Sequence, residues 1–373
     1  MSNTIVFPNL NFIVDVKPDL FKIGDYYIKW YGALIAVGFL LAFLYALKMC
    51  KPMNLNQDKL LDVVIVGIVF GIIGARLYYC LFEPTGYYFE NPIEILYIHK
   101  GGLAIYGGLI GALASGAIVA KIKKISIPAV FDVVSLGFLI GQCIGRWGNF
   151  FNIEAFGDYT NNIFAMCVPS NAINTSVVTE KMAEHAIEMG SVTYYQVHPT
   201  FFYESMLCLI GFILLHIFTV KFRRYDGQTF LCYILWYGLG RFFIEGTRTD
   251  SLYIFETIKV SQLLAFVCVF MAIVMLFMFR KNTVLTGCGK KEIMALNAIS
   301  DEVLEDEVKE AEAEFSTIFG DLGYEEEPVK IPGMEENAEA EEALEEVEET
   351  EEALEETEIT EENSETENEE VKE

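Results

Sequence analysis

The 373-residue chain is poor in the groups on which much soluble enzyme chemistry rests. It has only four histidines, at positions 99, 185, 198 and 216, with no H-E-x-x-H pair and no Cys/His cluster at zinc-like spacing. Neither a zinc hydrolase nor any other metal or cofactor is expected from such a pattern. Eight cysteines are scattered at positions 50, 80, 143, 167, 208, 232, 268 and 288, without a C-x-x-C pair. Most sit in apolar runs and read as small buried hydrophobes. No histidine accompanies any of them on a nucleophile motif, so an enzyme thiol nucleophile is not expected. No glycine-rich phosphate loop follows a predicted strand, which removes nucleotide binding, and no nucleic-acid partner is expected. Met1 to Phe12 has no basic segment and no cleavage pattern, so the first apolar helix is expected to act as an uncleaved membrane signal. A transporter or channel for an anionic substrate is the main alternative class. It would be expected to show matched halves, and residues 30–147 and 200–280 show no convincing repeat.

What the chain does have is apolar surface and a lopsided charge. It is 53% hydrophobic and 14% aromatic with a net charge of −27. Beyond Lys290 there are 34 acidic and 4 basic residues, while the rest holds 19 acidic and 22 basic. The body is thus nearly neutral, and the charge belongs to a tail. Units such as Glu-Glu-Ala-Leu-Glu-Glu recur there at 341–346 and 351–356. Dense like charge with few aromatics predicts disorder, and the division expected is a membrane domain over 1–282 and an acidic, mostly disordered tail over 283–373.

Seven runs have about the length a bilayer requires: 30–50, 61–82, 101–120, 129–147, 201–220, 229–244 and 258–279. The fold class expected is all-α, a multi-pass membrane protein with an extracytoplasmic cap. Residues 1–29, with Pro8, Pro18 and Gly24, suit an interfacial segment, and Trp30 and Tyr31 an interfacial anchor. Lys48, Lys51 and Lys59, then Lys121, Lys123 and Lys124, then Lys221, Arg223 and Arg224, then Arg280, Lys281, Lys290 and Lys291 all fall in alternate loops. Basic loops mark the cytoplasmic side, which puts the N-terminus outside and the tail inside. The long loop from Phe150 to Pro199 then forms the outer cap.

The chemistry-bearing residues gather at the outer ends of these runs. The stretch Gly145-Arg146-Trp147-Gly148-Asn149-Phe150-Phe151-Asn152-Ile153-Glu154-Ala155-Phe156-Gly157 places a cation, two amides and a carboxylate at or near membrane depth. Such groups are costly there and usually mark a site. Arg76 lies late in the second run, Arg241 and Glu245 end the sixth, and Arg248 follows. Guanidinium forks bind phosphate oxygens in bidentate fashion, so a lipid headgroup is a natural counterion. Arg241 and Glu245 are also an i,i+4 pair, and an internal ion pair is the plain alternative. The run Gly101-Gly102-Leu103-Ala104-Ile105-Tyr106-Gly107-Gly108-Leu109-Ile110-Gly111 has small-xxx-small spacing, and close helix packing alone would account for it. His198-Pro199-Thr200-Phe201-Phe202-Tyr203-Glu204 opens the fifth run.

Taken together, in order, these motifs resemble those of the prolipoprotein diacylglyceryl transferase family, over roughly residues 12 to 280. The Arg146 stretch resembles the family signature, and His198 to Glu204 resembles its His-Pro-x-x-x-Tyr-Glu pattern. Ile28-Lys29-Trp30-Tyr31-Gly32 resembles the family's first helix start. The resemblance implies transfer of an sn-1,2-diacylglyceryl group from phosphatidylglycerol to the lipobox cysteine of a prolipoprotein, the first step of bacterial lipoprotein maturation. It implies Arg146 and Arg241 as catalytic phosphate clamps, supported by Arg76 and Arg248. Asn149, Asn152, Glu154, Gly157, Tyr31, Glu204 and Glu245 are implied as the remaining phosphatidylglycerol-binding set. In the family the glycine-rich helix start lines the catalytic cavity, and many members carry a histidine where Tyr106 stands. Tyr106 is therefore expected as a third catalytic residue beside Arg146 and Arg241, as a hydrogen-bond donor or, as the lesser alternative, a base, since a phenol's pKa is ~10. A monomer suffices for two membrane-borne substrates.

Overall fold

A computed structural model describes residues 3–24, 26–98, 101–249, 253–254 and 258–298. His99 and the tail from 299 onward lie outside them. Among the described residues seven long helices dominate: α1 (Trp30–Cys50), α2 (Gln57–Leu81), α3 (Ile105–Ile122), α4 (Ile127–Asn152), α5 (Thr200–Lys221), α6 (Gln228–Thr247) and α7 (Val260–Met278). The first five and α7, extended to Lys281, are long and apolar enough to cross a membrane. α6 is long as well, but its last turns carry Arg241 and Glu245. Local chemistry sets the starts: Asn56 caps α2 by accepting from the Lys59 amide, and Ser126 caps α4 by accepting from that of Ala129. The third helix starts at Ile105, four residues later than the apolar run, because Gly101 and Gly102 adopt φ of 88° and 76°. α4 continues to Asn152, so the signature arginine and both its asparagines are helical.

Glycine sets how closely the helices approach. A Cβ on Gly107 would lie 2.3 Å from the carbonyl oxygen of Gly74, and one on Gly111 2.3 Å from that of Phe70. The small-residue spacing of α3 is thus the seam it makes with α2.

The cap is built of strands, which the interfacial reading of residues 1–29 did not anticipate. β1 (Asn3–Phe7), β2 (Phe12–Val16), β5 (Met166–Pro169), β6 (Ile187–Met189) and β7 (Val192–Val197) form one antiparallel sheet in the order β2-β1-β5-β7-β6. β1 and β2 are in full register from Asn3↔Val16 to Phe7↔Phe12, and Val6 opposite Cys167 joins this hairpin to the long loop. β3 (Asp19–Ile23) and β4 (Tyr26–Lys29) form a second hairpin leading into α1. Ile5, Val16, Phe150, Met166, Val168 and Val197 fill the core between sheet and helices. Cys167 is fully buried there, and burial pushes its thiol up to about 11.

At the opposite end the chain does not leave the body at residue 282. Residues 283–290 double back across it, which moves the expected tail boundary. Cys288 N donates to Pro52 O (2.7 Å), and Thr286 N to Asp226 Oδ1 (2.8 Å). Arg223, read from sequence as a loop cation, is instead fully buried. It is paired with Asp132 of α4 (2.9 Å) and donates to the carbonyls of Thr286 and Cys288.

Candidate functional site

The site forms where α4, α5 and α6 meet the cap. α4 ends in a left-handed Ile153 (φ 53°), and Ala155 is left-handed too (φ 57°). These two turns send residues 153–158 between the start of α5 and the end of α6. Thr200 Oγ1 donates to Ala155 O, Gly157 N to His198 O (2.9 Å), and Asp158 N to Thr247 O (2.9 Å). Gly157 also forms a bridge with Arg248. A Cβ at 157 would stand 2.8 Å from both His198 Cβ and Thr247 O, so only glycine fits.

This threading gathers three arginines around one buried carboxylate. Glu204, 1% exposed, receives Arg146 Nη2 at 2.6 Å and Arg241 Nη1 at 2.6 Å, with Arg248 Nη1 at 3.7 Å. Arg241 Nη2 also meets Glu245 at 2.6 Å, so the i,i+4 pair forms. Glu204 is thus the carboxylate that Arg146, Arg241 and Arg248 share. Arg146 and Arg241 keep 21% and 19% of their side-chain surface exposed, enough for a further anion to reach them. A tyrosine that the sequence reading missed, Tyr237, accepts from Arg146 Nη2 at 3.3 Å. Its signal was available, for it sits one helical turn before Arg241.

The other expected residues divide. Asn149 and Asn152 donate to Glu154 Oε1 at 3.0 and 3.2 Å, a separate polar knot just past Arg146. Tyr31 lies against α4, where a Cβ on Gly148 would come within 2.7 Å of its ring. Arg76 does not join the cluster, which corrects its supporting role. Its guanidinium donates to Glu94 O, Ile95 O, Gly101 O and Gly102 O at 2.6 to 3.0 Å, beneath the Tyr88 ring. Four of its five N–H groups are committed to backbone, and it is 3% exposed, so it ties down the loop before α3. Tyr106 stands 44% exposed at the start of α3, and among the described residues no hydrogen bond links it to the arginines. His198 approaches Tyr203 (Nδ1 to OH, 3.3 Å). Burial pushes its imidazole below the ordinary value, against an opposing pull from Asp158.

The prolipoprotein diacylglyceryl transferase family matches the chain over residues 18–278. A phosphatidylglycerol–prolipoprotein diacylglyceryl transferase of Staphylococcus haemolyticus is 40% identical over 268 residues, which is 72% of this chain and 89% of that protein. One from Bacillus velezensis is 39% identical over 269 residues, 71% and 93% of the two chains.

Proposed function

The chain belongs to the prolipoprotein diacylglyceryl transferase family, and we propose that its arginine cluster is where phosphatidylglycerol gives up its diacylglyceryl group to a prolipoprotein cysteine. The observation that carries this is the pair Arg146 and Arg241, both held by Glu204 and both still partly exposed. The thiolate sulfur attacks the glyceryl carbon that bears the phosphate. A C–S bond forms, the C–O bond breaks, and glycerol phosphate departs with the electron pair. The products are a thioether and a phosphate monoester, whose growing charge falls to the guanidiniums. Binding to Glu204 fixes both arginines before substrate arrives, so little reorganisation accompanies the charge shift.

The thiol must lose its proton, and a thiol of ordinary pKa ~8.5 is mostly protonated near neutrality. The guanidinium groups of Arg146 and Arg241 beside the sulfur favour the thiolate, and this electrostatic route needs no histidine at position 106. Asn149, Asn152 and Glu154 orient the glycerol headgroup. The protein is a multi-pass bacterial membrane protein. Its cap faces outward, its tail lies in the cytoplasm, and one copy suffices for the reaction.

Purified protein, phosphatidylglycerol with labelled acyl chains and a cysteine-bearing lipobox peptide provide the test. Label moves to the peptide from phosphatidylglycerol and not from phosphatidylcholine. Failure of folded protein to label the peptide from phosphatidylglycerol overturns the proposal.

A further inference from the structure

The end of α6 is held by a cation that the chemistry above does not use. α6 stops at Thr247, and the chain leaves it through Arg248, whose backbone is extended (φ −77°, ψ 145°). Two short strands follow, β8 (Tyr253–Ile254) and β9 (Ile258–Lys259), paired antiparallel with Tyr253 opposite Lys259. Lys259 then stands at the helix-capping position of α7. Its Nζ reaches back to α6 and donates to Glu245 O (2.7 Å), Gly246 O (3.4 Å) and Arg248 O (2.7 Å).

Local rules do not account for a lysine at this position. A helix start favours Ser, Thr, Asp or Asn as its cap, and the positive end of a helix dipole repels a cation. The Lys259 side chain makes no capping bond to α7. The ammonium instead sits on the negative end of α6, where the last carbonyls have no partner within the helix. The two helices have other ties. A Cβ on Gly238 of α6 would stand 2.7 Å from Val269 Cγ2 of α7, and Gln262 Nε2 donates to Phe242 O at 3.0 Å. Those contacts lie further back along α6, whereas Lys259 acts on its last turn. Arg248 is held there on two sides, by its bridge to Gly157 and by Lys259 on its carbonyl. Its guanidinium stands 3.7 Å from Glu204, against 2.6 Å for Arg146 and Arg241. Glu204 therefore grips Arg248 less closely than the other two, and the backbone has more to do in aiming it.

We propose that Lys259 is the positioning residue for Arg248: by fixing the carbonyl end of α6 it aims the third guanidinium of the cluster at the phosphate of the lipid donor. The inference rests on the transferase reading of that cluster. Arg248 then helps to hold phosphatidylglycerol, and Lys259 acts through it without touching the lipid.

Lys259→Met, Lys259→Arg, Arg248→Ala and the double variant Lys259→Met/Arg248→Ala test this in the reconstituted reaction, with peptide and phosphatidylglycerol varied separately. In Lys259→Met the KM for phosphatidylglycerol rises about tenfold, as for a weakened hydrogen bond to a charged group, and the KM for peptide stays close to wild type. Lys259→Arg, which also donates to carbonyls, restores most of the loss. The double variant is no worse than Arg248→Ala alone, because the lysine then has nothing left to aim. Lys259→Gln, which keeps an amide donor, shows a smaller rise and keeps the test open if Lys259→Met fails to fold. A Lys259→Met loss that adds in full to that of Arg248→Ala would make the lysine a general support and overturn the proposal. An unchanged KM for phosphatidylglycerol in active Lys259→Met, or in Arg248→Ala, would overturn it as well. A wild-type protein that transfers nothing would remove the transferase reading itself, a different failure.

Discussion

Glu204 has no chemistry of its own in this scheme, yet it touches both arginines that do. Glu204→Gln keeps the size of the side chain and removes the charge that holds Arg146 and Arg241. The expected result is a loss of at least about tenfold in kcat, because preorganised charge is weakened and not removed. Retained folding, read from elution and melting in detergent, separates this from collapse. His198 sets a pH dependence of stability. Its folded pKa lies below the unfolded value of ~6.5, so the unfolded chain binds more protons as the pH falls. Its contribution is complete above about pH 6.5 and is lost as the pH falls towards the folded value. Melting of the wild type should drop between pH 7 and pH 5.5, and His198→Asn should flatten that drop. Replacing Tyr106 by Phe should leave the pH–rate profile unchanged, since the tyrosine has no hydrogen bond to the arginines; a shifted basic limb would make it the proton acceptor. The arginines were legible because a charge in an apolar run is conspicuous. Arg76 was misread for the same reason: the sequence shows the charge but not the four backbone carbonyls that satisfy it.

At the scale of elements, the loop over 153–158 decides whether the cluster assembles. Gly157→Ala forces a methyl to within 2.8 Å of His198 Cβ and Thr247 O, and neither can yield without moving α5 or α6. A loss of about 1–3 kcal/mol in stability follows from such overpacking, with Arg248 displaced from Glu204 and activity reduced. Thermal melts and initial rates on the same preparation check both effects. The seam between α2 and α3 was readable from glycine spacing, because small-xxx-small patterns have one simple use in apolar helices. The strands of the cap were not read. Their hydrophobic residues are few per strand, and pairing such as that of Val6 with Cys167 joins segments too far apart for local periodicity to show.

At the scale of the molecule, the helices are tied together at both ends, by the cap at one and by residues 283–290 at the other. Arg223 is the centre of the second tie. Truncation after residue 298 should leave melting and transfer rates near those of the full chain. Truncation after residue 282 removes the carbonyls of Thr286 and Cys288 from a guanidinium with no exposure to solvent. Asp132 stays paired, and losing hydrogen bonds to a charged group costs about 1.5–3 kcal/mol, so melting should fall accordingly. Asp132, an acid inside an apolar run, was the sequence signal for this buried pair, and loop charge alone concealed it. The central claim is that Arg146 and Arg241 stabilise the departing phosphate. Single-turnover transfer from labelled phosphatidylglycerol to a cysteine peptide, with Arg146→Ala and Arg241→Ala beside the wild type, tests it most directly. The account predicts that the chemical step slows by about 10²-fold or more in each variant while the protein stays folded. A chemical step of wild-type speed in either variant would contradict it.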